Sequence, residues 1–126
     1  MPGILARDED VLSEIVHHSV SIKARIVEQD ETEGGLRGTL NYGHTFGHAV
    51  EAVAGYSRFL HGEAVAIGMA CAAEMSAARG MVDREFCDKQ RAILSTAGLP
   101  TSCPDDIDVA AVVEAMKLDK KVKGGR

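Results

Sequence analysis

Three of the five histidines in this 126-residue chain, His44, His48 and His61, lie within one eighteen-residue stretch. His44 and His48 are four residues apart on a predicted helix, and side chains at that spacing share one face of a helix. His61 follows a short loop, so its ring can fold back toward the same face. Neutral imidazole binds zinc and similar divalent ions. The cluster therefore predicts a site at which imidazoles converge on one metal ion or one substrate.

The residues around the histidines indicate an acidic substrate rather than a peptide. The HExxH motif of zinc peptidases needs Glu beside the first histidine, and this chain has Thr45 there. Lys23, Arg37 and Asn41 precede the cluster, and Arg and Lys beside a metal suit a carboxylate or phosphate. Glu33 lies four residues before Arg37. We therefore expect anion binding and proton transfer next to the imidazoles.

The hydrophobic pattern predicts an all-α fold of about five helices, because apolar residues recur at the helical period and two-residue alternation is not convincing anywhere. Residues 62–79 are rich in Ala and Gly, which allows close packing, and are predicted to form the buried central helix. Residues 30–40 are predicted to be a charged, glycine-rich loop. The other helices are expected at residues 8–29, at residues 42–54, after an N-cap at Asp83, and at residues 109–118 after an N-cap at Asp108.

Composition narrows the class of protein. The net charge of -5 argues against a nucleic-acid partner, because phosphate binding favours a basic face. Three cysteines without CxxC spacing indicate reduced thiols in a cytoplasmic protein, with Cys71 as a small core residue. The most apolar stretch, residues 64–73, is far too short to span a membrane. We therefore expect a cytoplasmic protein that contacts neither nucleic acid nor membrane.

Residues 1–126 are predicted to be one helical metal- and substrate-binding domain that is truncated at both ends. The length suits a single domain. The chain stops at Lys123-Gly-Gly-Arg126 with no further element to pack. It also lacks a GxGxxG or Walker-type glycine loop. If the chemistry requires a nucleotide, another domain is expected to supply it.

Two segments carry a resemblance to a known family. Leu40-Asn-Tyr-Gly-His44-Thr-Phe-Gly-His48-Ala-Val-Glu51, followed by His61-Gly-Glu-Ala-Val-Ala-Ile-Gly-Met69, resembles the C-terminal domain of the 3-dehydroquinate synthases, members of the sugar-phosphate cyclase superfamily. The agreement extends in consistent order over nearly the whole chain. It includes Lys23, Glu33 before Arg37, residues 97–100 and residues 119–121.

The resemblance implies a carbon–oxygen lyase of the shikimate pathway, which leads to the aromatic amino acids. Such an enzyme converts 3-deoxy-D-arabino-heptulosonate 7-phosphate to 3-dehydroquinate and phosphate, and it depends on NAD and on zinc or cobalt. The metal ligands carried over are His44 and His61, while the family's third ligand, an upstream Glu, has no matching position here. The family's N-terminal α/β NAD-binding domain is absent from this chain, so the chain alone is expected to be inactive. The intact enzyme is expected to be a homodimer.

The resemblance also assigns the remaining roles by position. Glu33 and His48 would transfer protons. The phosphorylated sugar acid would be bound by Lys23, Arg37, Asn41 and His48, with Lys120 or Lys121 at the far end of the site. Glu51 is better explained as a structural partner of a histidine.

Two alternatives remain open from the sequence. Another sugar-phosphate cyclase, of the valiolone or amino-cyclitol type, would share the histidine framework. Arg37 together with a lysine favours a substrate that carries both carboxylate and phosphate. A non-catalytic helical interaction module with a vestigial site is the second alternative.

Overall fold

A computed structural model describes the backbone of residues 1–30 and 36–124 and the side chains of residues 1–30 and 38–119. Within these ranges the chain forms helices and no strand, which confirms the all-α prediction. The chain divides into two compact units, Met1–Asn41 and Tyr42–Arg126. Whether residues 1–126 act as one domain stays a prediction. None of the described helices is both long and apolar enough to cross a membrane.

The first unit contains α1 (Pro2–Leu5), α2 (Glu9–Gln29) and a 3-10 helix (Leu36–Asn41). Asp8 is the N-cap of α2, close to the predicted start of this helix, and its carboxylate accepts a hydrogen bond from the amide of Val11 at 3.1 Å. The short helix α1 was not predicted. The predicted loop is wrong over its last part, because Leu36–Asn41 forms 3-10 turns, which commonly occur beside α-helices. Residues 31–35 of that predicted loop lie outside the described residues.

The second unit contains four helices: α3 (His44–Ala54), α4 (His61–Ala78), α5 (Arg84–Thr96) and α6 (Val109–Gly124). Asp83 caps α5 as predicted, with its carboxylate accepting from the amide of Phe86 at 2.8 Å. The start of α3 and the end of α6 differ from the predicted helix boundaries. α3 begins after Tyr42, since Gly43 has φ 81° and interrupts helical backbone. α6 continues past Leu118, because no helix breaker intervenes before Gly124.

The core of the second unit forms around α4, which packs against both α3 and α5. Six α4 residues are buried, more than in α3 or α5, and Ile67 is fully buried. This confirms the prediction for the Ala-rich helix. Cys71 is partly buried against the same core, close to its expected place. The buried cluster that joins α3, α4 and α6 consists of Ala49, Val50, Ile67, Ile107 and Val112.

Three glycines allow α3 and α4 to approach backbone to backbone. A Cβ atom on Gly68 would overlap the carbonyl oxygen of Gly43 and lie 2.8 Å from the amide nitrogen of Gly47. A Cβ atom on Gly47 would lie 3.1 Å from the carbonyl oxygen of Ala64. Only glycine leaves room for such a contact without movement of the backbone. The spacing between α3 and α4, and therefore between their histidines, depends on these residues.

Candidate metal and substrate site

The three clustered histidines converge in the structure as the sequence predicts. His44 and His48 lie on the first turns of α3, and His61 is the first residue of α4. Their ring centroids are 5.6 Å apart for His44–His48, 5.5 Å for His44–His61 and 5.8 Å for His48–His61. His44 and His48 are partly buried and His61 is exposed. The rings therefore form one group at the edge of the second unit, open to a ligand.

His61 contacts a carboxylate through its Nδ1 atom. Nδ1 lies 3.2 Å from Oε1 and 3.4 Å from Oε2 of Glu51, which is one turn after His48 on α3. A carboxylate is an acceptor, so Nδ1 carries the proton in this contact. The neutral ring then has its lone pair on Nε2. This contact gives His61 the tautomer that a metal ligand needs.

His44 makes the equivalent contact with the main chain. Its Nδ1 atom lies 3.3 Å from the carbonyl oxygen of Tyr42, which is also an acceptor. His44 therefore also presents an unprotonated Nε2 when its ring is neutral. Both histidines that the resemblance assigns to the metal thus have a partner at Nδ1. His48 has ring contacts with both, but no hydrogen bond to it forms among the described residues.

Tyr42 is itself fixed by a polar network that sequence reasoning missed. Its hydroxyl donates to Oε1 of Gln90 on α5 at 2.7 Å, and Nε2 of Gln90 donates to the carbonyl of Met69 on α4 at 3.0 Å. Burial raises the pKa of Tyr42 above its ordinary value, so the hydroxyl stays protonated and keeps its donor role. The network ties the residue before Gly43 to two helices. No sequence signal could have shown it, because Tyr42 and Gln90 are 48 residues apart and the second acceptor is the main-chain carbonyl of Met69.

The donor set fits a borderline divalent ion such as zinc or cobalt. Imidazole nitrogens with a carboxylate nearby are typical of such sites, and a catalytic zinc site usually has three protein ligands. In the assignment that the resemblance implies, His44 and His61 would supply two of them. A second group of residues is also close enough together to hold one metal ion. One ligand atom each of His48, Glu51 and His61 lies within 4.8 Å of the others. In that grouping a metal on Glu51 would compete with the hydrogen bond to His61.

The other predicted site residues belong to the first unit or have no described side chain. Lys23 is exposed on α2 and Asn41 is exposed at the end of the 3-10 helix, both in the first unit. Only the backbone of Arg37, Lys120 and Lys121 is described. Glu33 lies outside the described residues. The structure thus brings together the histidines, and the roles of the remaining residues stay predictions.

Comparison with known proteins identifies the family of this chain. Residues 1–122 match the family described as 3-dehydroquinate synthase C-terminal. The chain belongs to this family. The 3-dehydroquinate synthase of a Synechococcus species is 51% identical over 117 residues, which cover 93% of this chain and 32% of that protein. The enzyme of Acidithiobacillus ferrooxidans is 48% identical over 126 residues, which cover the whole chain and 34% of that protein.

A third relative, the 3-dehydroquinate synthase of Thermodesulfovibrio yellowstonii, is 47% identical over 118 residues, 94% of this chain and 33% of that protein. The chain therefore spans about a third of the length of the curated relatives it matches. The resemblance drawn from the histidine motif is confirmed by these matches.

Proposed function

We propose that this chain forms the metal- and substrate-binding part of a 3-dehydroquinate synthase. The enzyme would convert 3-deoxy-D-arabino-heptulosonate 7-phosphate to 3-dehydroquinate and phosphate in the shikimate pathway. The observation that carries the proposal is the pairing of His44 with Tyr42 and of His61 with Glu51. Each pairing leaves one Nε2 atom available, in a chain that matches the family over residues 1–122.

His44 and His61 are the residues that would hold the metal ion, zinc or cobalt. When bound, the ion would polarise the bond between carbon and oxygen at the hydroxyl that is oxidised transiently by NAD. NAD would be held mainly by an N-terminal α/β domain, because this chain has no glycine-rich nucleotide loop. Both cofactors are inferred from the family and from the donor set.

His48 is the best-placed proton carrier among the described residues. Its ring lies 5.6 Å from His44 and 5.8 Å from His61, centroid to centroid, and is stacked on His61. An imidazole beside the metal ligands is able to accept or donate a proton near neutral pH. We assign it that role rather than ligation, with Glu33 as a second group for proton transfer.

The substrate carries a carboxylate and a phosphate, which require cationic partners. We assign this binding to Lys23, Arg37, Asn41 and His48, with Lys120 or Lys121 at the far end, by position in the family motif. The intact protein is proposed to be a cytoplasmic homodimer in which the NAD-binding domain is a partner of this part of the chain.

The reported relatives favour this function over the two alternatives. All three are named 3-dehydroquinate synthase, and none carries the name of another cyclase. The organised Nδ1 contacts of two histidines also disfavour a helical interaction module, which would have no need of them.

The deciding experiment measures phosphate release by the protein expressed from its complete reading frame. The substrate is the heptulosonate phosphate, with NAD and zinc present or withheld one at a time. We expect release only when both are present. A sugar 7-phosphate without a carboxylate serves as the control substrate. Turnover of this control at a rate equal to that of the heptulosonate phosphate would identify another cyclase, and release from neither substrate would contradict the proposal.

A further inference from the structure

Glu51 has an environment that is unusual for a carboxylate. Its side chain is only 13% exposed, whereas the His61 ring that it contacts is 56% exposed. Among the described residues no Lys or Arg lies within ion-pair distance of it. A carboxylate removed from water is costly unless it is paired and hydrogen-bonded. The only partner that the described residues give Glu51 is therefore an imidazole at the predicted metal site.

We propose that Glu51 is the positioning residue that sets the metal affinity of this site, through the orientation and tautomer of His61. The inference rests on the proposed function. Both carboxylate oxygens face one atom, Nδ1 of His61, at 3.2 and 3.4 Å. This contact holds the proton on Nδ1 and directs Nε2 outward to the ligand side. The negative charge also makes the imidazole a better electron-pair donor.

The position of Glu51 in the fold supports a role in alignment. Glu51 is on α3, the helix that carries His44, whereas His61 begins α4. The contact therefore joins the two helices at the point where their histidines must be in register. The main-chain contact of His44 with Tyr42 lies within one segment and cannot perform this function. Glu51 is the described side chain that couples the second ligand to the helix of the first.

This inference differs from direct ligation of the metal by Glu51. The atoms of His48, Glu51 and His61 are close enough for that alternative. If Glu51 bound the ion directly, one of its oxygens would no longer accept the hydrogen bond from Nδ1 of His61. Glu51 would then no longer fix the tautomer of His61. The two possibilities predict different spectra with cobalt, because direct ligation adds an oxygen donor to the ion.

The first experiment determines the tautomer of His61 in the metal-free, full-length protein with 15N-labelled histidine rings. Long-range proton–nitrogen NMR at a pH where the rings are neutral distinguishes a proton on Nδ1 from one on Nε2. We expect Nδ1–H in the unsubstituted protein and a mixture of tautomers in Glu51→Ala. A proton mainly on Nε2 of His61 in the unsubstituted protein would overturn the inference, whatever the enzyme's activity.

The second experiment measures Co²⁺ affinity by absorption for Glu51→Gln and Glu51→Ala. Loss of such a partner typically weakens metal binding about 10- to 100-fold. We expect the smaller loss for Gln, which keeps an acceptor oxygen, and the larger loss for Ala. Glu85→Gln is the control, since Glu85 is an exposed α5 residue paired with Lys89.

Three outcomes of the cobalt experiment would overturn the inference. Equal affinity in all variants would show that Glu51 does not act on the metal. A changed ligand-field spectrum in Glu51→Gln, with loss of an oxygen donor, would make Glu51 a ligand instead. Absence of cobalt binding in the unsubstituted protein would remove the metal site as well. If the unsubstituted protein binds cobalt and shows the expected losses in the Glu51 variants but releases no phosphate, only the proposed function is contradicted.

Discussion

Arg58 and Asp106 form a paired salt bridge that joins the loop before α4 to the loop before α6. Nη1 and Nη2 of Arg58 donate to the two carboxylate oxygens of Asp106 at 2.7 and 2.9 Å. The hydrogen bonds from Arg58 hold the pKa of Asp106 below its ordinary value. Two parallel hydrogen bonds make this a more specific contact than an ordinary surface ion pair. The loop from residue 55 to residue 60, which leads to His61, is held at its middle by this pair.

The pH dependence of stability should show this salt bridge. Because the pKa of Asp106 is lowered in the folded state, its contribution is complete above the unfolded-state pKa of about 4 and is lost as the pH falls through the folded-state value. We expect Asp106→Asn to lower the melting temperature slightly at pH 7. Below about pH 4 the melting temperature of this variant should approach that of the unsubstituted protein. Thermal melts across this range test the prediction. A melting difference that grows on acidification would contradict it.

Gly68→Ala should destabilise the second unit strongly. The added methyl group would overlap the carbonyl oxygen of Gly43, which is backbone and cannot rotate away. Overpacking of this kind costs about 1–3 kcal/mol, and more where the neighbour is rigid. Urea denaturation measures the change.

Gly62→Ala is the matched control for that substitution. Gly62 lies in the same helix, and a Cβ atom there would meet nothing within 4 Å. Because alanine favours helix by about 0.5–1 kcal/mol over glycine, we expect Gly62→Ala to be neutral or stabilising. Equal losses of stability in both variants would mean that close packing of α3 and α4 is not the cause.

Substitution of His44 should separate metal binding from proton transfer. We expect His44→Ala to lose the metal and all turnover, because it removes one of the two proposed ligands. His48→Ala should retain the metal and lose about 10²- to 10⁴-fold in kcat, the usual range for a general acid or base. Metal content by elemental analysis and steady-state rates provide the measurements.

The reverse pattern would assign the metal differently. If His48→Ala lost the metal while His44→Ala retained it, the ion would be held by His48, Glu51 and His61. The control is His17→Ala on α2, a histidine outside the cluster.

Arg37→Ala should mainly weaken substrate binding. Its guanidinium is proposed to pair with a substrate anion, and loss of one partner of a buried charge pair costs about 2–5 kcal/mol. Each 1.4 kcal/mol is about tenfold in affinity. At saturating metal we expect a raised KM, with Arg25→Ala on α2 as the control. Unchanged KM and kcat would show that Arg37 does not contact the substrate.

The sequence predicted most of the helices of the second unit because their signals are local. Asp83 is an N-cap that precedes an apolar pattern, and the Ala-rich composition of α4 shows that it is buried. The start of α3 was missed by two residues, because nothing in the residue type of Gly43 tells whether it adopts positive φ. The end of α6 was missed because a lysine-rich segment is compatible with either helix or tail.

The histidine group was predictable, but the contacts that organise it were only partly so. Spacing alone brings His44 and His48 to one face of a helix. The placement of His61 beside these two histidines depends on the path of the backbone after Gly55. The sequence motif suggests this path but does not determine it. The contact of Tyr42 with His44 uses a carbonyl oxygen that every residue has. Its role becomes visible only when the backbone is folded.

The two histidines of α3 each follow directly after a glycine of the helix contact: Gly43 precedes His44, and Gly47 precedes His48. Residues of the candidate site and residues of the helix contact are therefore direct neighbours in one short segment. We therefore expect a change that alters the fit between the helices to shift an imidazole as well. In a saturation mutagenesis screen this segment should tolerate the fewest changes in the second unit, even at positions that touch no ligand.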